Sequence, residues 1–139
     1  MKFTRSASAQ WKGGGKDGKG TLTTESKVLD KSHYEYKTRF EDAKGTNPEE
    51  LIGAAHAGCY SMQLSFYLGE EGFTPTTLDT KADVTFEDGS ITKIVLTLHA
   101  DIPNIDNDTY QRLAKKAKDN CPVSKLLDTN IELHASMEQ

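Results

Sequence analysis

Three things are scarce in this sequence: blocks of positive charge, long apolar runs and cysteine. Seventeen basic residues stand against 21 acidic ones for a formal charge of -4, with no basic block. The sequence-independent attraction that underlies nucleic-acid binding is therefore missing, and nucleic acid is not an expected partner. The opening MKFTRSASAQW has no apolar h-region, and His56, Ser61, Gln63 and Ser65 interrupt the longest apolar-leaning stretch. Neither a signal peptide nor a membrane span is expected, so a cytoplasmic setting follows. In that compartment the sequon at Asn107 has no meaning, and a stable structural disulfide is not expected of the two cysteines. Such a pair is more often catalytic, redox-sensing or metal-binding. The 139 residues contain no internal repeat, low-complexity tract or linker and suit a single domain over 1–139.

What is present reads as a mixed fold. Ala7 to Trp11, Gly20 to Thr24 and Tyr34 to Phe40 have strand character, with Gly13-Gly14-Gly15 and Asp17-Gly18 as turn signals. The segment from Gly13 to Gly20 is one residue short of a phosphate-binding loop, with Gly20 where Ser or Thr would hold magnesium. The TLTTES that follows favours extended structure over a helix, so the segment reads as a hairpin loop. Asn47-Pro48-Glu49-Glu50 is a helix start: Asn as N-cap, Pro at the first position and two carboxylates set against the dipole. The helix is expected to end at Glu70 or Glu71 before Gly72. Leu51, Ala55, Cys59, Met62 and Phe66 fall on one stripe, and Ile52, Ala54, Leu64 and Leu68 spread apolar character around the cylinder. This predicts a central buried helix over about 48–70 with Cys59 largely buried. Gly53 and Gly58 within it suggest a close approach by another backbone or helix.

After Pro75 the period returns to two through Leu78, Thr80, Ala82, Val84 and Phe86, turns at Asp88-Gly89, and resumes at Ile94, Leu96, Leu98 and Ala100. Tyr110, Leu113, Ala114 and Ala117 mark an amphipathic helix capped near Asp106 or Asn107, with Lys115, Lys116 and Lys118 on a solvated face. Cys121 is placed to cap a following helix that has Pro122 first, and Ile131 to Met137 make a last strand. The expected class is α+β in the order β-β-β-α-β-β-α-α-β, with antiparallel strands around two main helices.

A thiol attacks only as thiolate, and an unperturbed cysteine near pKa ~8.5 is a few per cent ionised at neutral pH. Chemistry at either cysteine needs activation, by a cation near Cys59 or by the helix start at Cys121. A metal-binding module is an alternative, with His56, Cys59 and Cys121 as soft ligands. No second CxxC or HxxH completes a closed set, because His33, His99 and His134 are scattered over expected strands. A non-catalytic protein whose disulfide only reports redox state is the other alternative.

The run TRFEDAKGTNPEELIGAAHAGCYSMQLSFYLGEEGFTPTTLDTKADV, then ITKIVL and KAKDNCPVSKLL, resembles the osmotically inducible protein C (OsmC) family, on the OsmC branch rather than that of the organic hydroperoxide resistance proteins. The likeness runs from about Ala9 to the last strand, and its most specific parts are NPEEL with a cysteine ten residues after Glu49, and the cysteine of CPVS. The resemblance implies a thiol peroxidase built as an intertwined homodimer with sites at the subunit interface. It makes Cys59 the peroxidatic cysteine and Cys121 the resolving one. Arg39 becomes the cation that favours the Cys59 thiolate, and Glu49, in preference to Glu50, the carboxylate that holds it. It implies no metal, flavin or haem; the reductant is an external dithiol, lipoyl groups or another small one. The role would be defence against oxidative and osmotic stress.

Ten helical residues span about 15 Å, so Glu49 of a straight helix does not reach Cys59 of its own chain. A two-fold dimer with paired central helices would bring one subunit's Glu49 to the other's Cys59, the small Gly53, Ala54, Ala57 and Gly58 permitting a close crossing. Apolar Leu51, Met62 and Phe66 favour an organic hydroperoxide over hydrogen peroxide as substrate.

Overall fold

The computed structural model describes residues 1–138. Its elements are β1 Ala7–Lys12, β2 Lys19–Thr24, β3 Ser32–Tyr34, α1 Tyr36–Phe40, α2 Pro48–Glu70, β4 Thr77–Glu87, β5 Ser90–Asp101, α3 Asn107–Asn120, α4 Pro122–Leu126 and β6 Asn130–Met137. This is an α+β chain with two three-stranded sheets, and it divides into one unit over Met1–Leu51 and a second from Ile52 onward.

In the first unit β1 and β2 pair antiparallel, with Trp11 opposite Gly20, and β3 adds to β2 with Gly20 opposite Tyr34. The glycine-rich segment between β1 and β2 is the hairpin loop expected of it, closed by the Gly18 N–H donating to Gly14 O at 2.8 Å. The third strand is shorter than the sequence suggests. It stops at Tyr34, and the residues expected to extend it form α1 instead. The reason is local: Glu35 is an N-cap in a capping box with Thr38, whose Oγ1 accepts from Glu35 N at 2.9 Å. Arg39 therefore sits on a helical turn rather than in a strand. The start of α2 follows expectation, the Asn47 Oδ1 accepting from Glu50 N at 2.8 Å.

The second unit is built on the hairpin of β4 and β5. Asp88 and Gly89, with φ of 50° and 83°, make the two-residue turn between the paired Glu87 and Ser90, where positive φ at both positions suits the right-handed twist of the strands. The alternation of β5 buries Ile94, Leu96, Leu98 and Ala100 completely. Burial of each larger side chain contributes about 2 kcal/mol. From α2, Tyr60, Leu64 and Leu68 enter the same core, and from α3 Tyr110, Leu113, Ala114 and Ala117 do. Asp106 caps α3 by accepting from Thr109 N.

Two expectations change here. β6 lies parallel to β5, Leu96 opposite Leu133, so the sheet is mixed and not wholly antiparallel. The intervening α3 and α4 supply the long crossover that a parallel pair requires. The buried stripe of α2 is Gly53, His56, Tyr60, Leu64 and Leu68, displaced by one or two positions from the stripe the sequence suggested. Cys59 is half-buried, while Met62 and Phe66 are both 63% exposed in the single chain. At Gly53 an added Cβ would lie 3.4 Å from Ala82 O, the close backbone approach expected there, whereas at Gly58 it would meet nothing within 4 Å.

Candidate functional site

Helix α2 holds Cys59, and the junction of α3 and α4 holds Cys121. Both are free thiols, Cys59 partly accessible and Cys121 fully buried. The fold brings them together: the Cys59 thiol is close enough to feel both the Cys121 thiol and the backbone N–H of Val123. The N–H of Val123 is available because it lies in the first turn of α4, where no carbonyl one turn earlier can take it. Cys121 occupies the N-cap position of α4, yet its side chain makes no capping hydrogen bond. The N-cap position, with Pro122 first in the helix, is the one expected of it, and its sulfur interacts with Cys59.

Burial pushes the Cys59 thiol up, and the hydrogen bond and charge interaction with Cys121 push it the same way, against the Val123 N–H. Cys59 within its own unit is thus held as a thiol. Nucleophilic chemistry at Cys59 needs activation beyond what the Val123 N–H supplies.

In the first unit Arg39 and Glu49 form a forked pair. Arg39 Nε donates to both Glu49 oxygens, at 2.9 and 3.2 Å, and Nη2 donates to Oε1 at 2.7 Å. The carboxylate is 13% exposed, so the pair is partly sheltered from solvent. The Arg39 guanidinium also lies 5.1 Å from the centre of the Phe40 ring. Glu50 is otherwise engaged, accepting from Thr46 Oγ1 and Asn47 Nδ2 at 3.2 Å each. Glu49 rather than Glu50 is therefore the partner of Arg39.

His56 does not join the cysteines as a ligand. Its Nε2 is 2.7 Å from Ser124 Oγ, both residues buried, and its Nδ1 has no partner among the described residues. Among those residues no group of three or more His, Cys, Asp or Glu side chains is gathered to hold a metal, so the set of His56, Cys59 and Cys121 gains no support as a metal site. Nor, among them, is any helix long and apolar enough to cross a membrane. Ser124 and the Val123 N–H escaped the sequence reading. The CPVS motif displays both residues, but a serine hydroxyl and a main-chain N–H carry no sign of a partner 60 or more positions away.

Residues 41–136 match the family of OsmC-like proteins. Over 137 residues, 96% of either chain, the sequence is 51% identical to peroxiredoxin OsmC of Escherichia coli K12. It is 27% identical to the organic hydroperoxide resistance protein OhrB of Bacillus subtilis over 123 residues, covering 86% of this chain and 89% of that one. The crystal structure of OhrB superposes with a TM-score of 0.71 at 26% identity over 98% of both chains. An OsmC-like protein from Mycoplasma pneumoniae shares the fold, with a TM-score of 0.75 over the full length of both chains at 13% identity. A cysteine-bearing α+β chain of this kind is an OsmC/Ohr-type protein. This chain belongs to the OsmC family.

Proposed function

We propose that Cys59 and Cys121 are the redox couple with which this chain, a peroxide-reducing enzyme of the OsmC family, reduces organic hydroperoxides, and hydrogen peroxide more weakly. The observation that carries the reading is the contact between two free thiols, one partly accessible and the other fully buried. The Cys59 thiolate attacks the distal oxygen of the hydroperoxide, the O–O bond breaks, and the leaving alkoxide takes a proton to become the alcohol. Cys59 is left as a sulfenic acid. The Cys121 thiol then condenses with it, releasing water and forming a disulfide. An external dithiol, of the lipoyl kind or another small one, restores both thiols by two exchange steps and becomes a disulfide itself.

Arg39 is the cation that lowers the Cys59 thiol and orients the peroxide, and Glu49 aims its guanidinium. The support is the forked pair of Arg39 with Glu49, together with the upward push on Cys59 that some cation has to reverse. The active assembly is an intertwined homodimer with sites built from both subunits. This rests on the exposed Met62 and Phe66 along α2 and on the small residues beside them. The same apolar side chains favour an organic peroxide. The setting is the cytoplasm, in defence against oxidative stress.

Peroxide consumption by the purified protein with dithiothreitol or dihydrolipoamide tests the reading. Cumene and tert-butyl hydroperoxide are expected to be turned over repeatedly and faster than hydrogen peroxide. A single stoichiometric oxidation without further turnover would instead mark a redox-responsive protein whose disulfide only reports state.

A further inference from the structure

Two rungs join α2 to the segment 121–124. His56 and Cys59 are one helical turn apart on α2, and they meet Ser124 and Cys121, which are three residues apart in the opposite sense. The segment they meet is weakly fixed by its own structure. Helix α4 has five residues and no side-chain cap, far below the length at which a helix persists unaided. Its placement depends on what it touches. The His56–Ser124 bond, at 2.7 Å and between two buried residues, is a polar link that ties it to the helix bearing Cys59, beside the interactions of Cys121 and Val123 with Cys59. Buried in this way, His56 is neutral, because burial holds its pKa below the ordinary value, and a neutral imidazole has one donor and one acceptor nitrogen. Nothing among the described residues engages Nδ1, so the whole polar function of this buried ring is directed at Ser124.

We infer that His56 and Ser124 are positioning residues for the resolving step: their bond fixes the first turn of α4 so that Cys121 meets the Cys59 sulfenic acid before a second peroxide does. The inference rests on the redox couple proposed above. Two fates compete for the Cys59 sulfenic acid. Condensation with the Cys121 thiol gives the disulfide and water; attack on a second hydroperoxide gives the sulfinic acid and a second molecule of alcohol. The first depends on the placement of Cys121, and the second does not. Looser placement of α4 therefore lowers the ratio of the two; the first attack feels α4 only through the Val123 N–H and the Cys121 thiol, whose effects on the Cys59 thiol oppose each other.

The test treats the full-length protein with graded cumene hydroperoxide and measures, by intact mass, the ratio of disulfide to sulfinic acid, alongside the rate of the first peroxide consumed. Ser124→Ala removes one oxygen and leaves both backbones in place. It is expected to lower the ratio about tenfold, as loss of a buried hydrogen bond does, with the first attack within about twofold of the parent. His56→Leu should match it, and His56→Gln, which keeps a polar side chain able to reach Ser124, should recover most of the ratio. Thermal melts restrict the comparison to folded variants. A Ser124→Ala protein that is folded and keeps the parent's ratio overturns the inference. If the parent protein itself forms no Cys59–Cys121 disulfide, the redox couple fails instead, and the two failures are thereby distinct.

Discussion

The Cys59 thiol lies beside the buried thiol of Cys121, and that neighbour adds to burial in raising its pKa rather than lowering it. The neighbour that suits the resolving step is thus a poor activator for the attacking one. The proposed mechanism draws proximity and activation from different groups, and variants of each group should separate the two.

The cysteines should differ in kind. Cys59→Ser is expected to abolish peroxide turnover, since no other thiol is placed to take the first oxygen. Cys121→Ser should consume about one peroxide per site and then stall, with Cys59 advancing to the sulfinic acid, as read by intact mass. Wild-type turnover in Cys59→Ser would show the assignment to be wrong.

Removal of the cation should be felt at Cys59. An opposite charge nearby shifts a pKa by about 1–3 units, so Arg39→Ala should cut the thiolate fraction at neutral pH, and the rate of attack, by about tenfold or more. Glu49→Ala should give a weaker defect of the same sign, because Arg39 loses the fork that aims it. Rates of Cys59 alkylation against pH measure both, and an unmoved titration in Arg39→Ala would remove arginine from the mechanism.

Assembly is open to complementation. Mixing Cys59→Ser subunits with Glu49→Ala subunits should give heterodimers in which one site has both lesions and the other is intact, so activity should exceed that of either parent dimer. Met62 and Phe66, each 63% exposed in the single chain, should be covered in that dimer. A fully active monomer of about 15 kDa in sedimentation, the mass of one chain, would rule out shared sites.

The buried imidazole should make stability depend on pH. Burial holds His56 below its ordinary value of 6.5, so the neutral form is favoured in the folded state. Its contribution is present above the unfolded pKa near 6.5 and is lost as pH falls through the lower folded value. The wild type should therefore lose more melting temperature between pH 7.5 and 5.5 than His56→Gln does. The difference between the two proteins isolates His56 from His33, His99 and His134. On the usual scaling it is about 2–4 °C per kcal/mol for a chain of this size. Equal slopes for the two proteins would show that His56 does not titrate differently on folding.

Much was legible in the sequence because it is local. Asn47-Pro48 starts α2, Asp88-Gly89 turns the hairpin, and the period-two run through Ile94, Leu96, Leu98 and Ala100 marks the buried face of β5; each follows from backbone preference or side-chain alternation within a few residues. The cysteines stood out for the same reason, as two reactive side chains in distinct settings. Tertiary structure decided the rest. It chose between two adjacent stripes on α2, turning Tyr60 and Leu64 inward and Met62 and Phe66 outward, because a helix that is apolar all round does not announce which side meets the sheet. It set β6 parallel to β5, since the direction of a returning strand depends on the path of the crossover and not on the strand's own residues. It turned Cys121 to Cys59 and His56 to Ser124, pairings of side chains that lie far apart in the chain and that only folding brings within reach of a hydrogen bond.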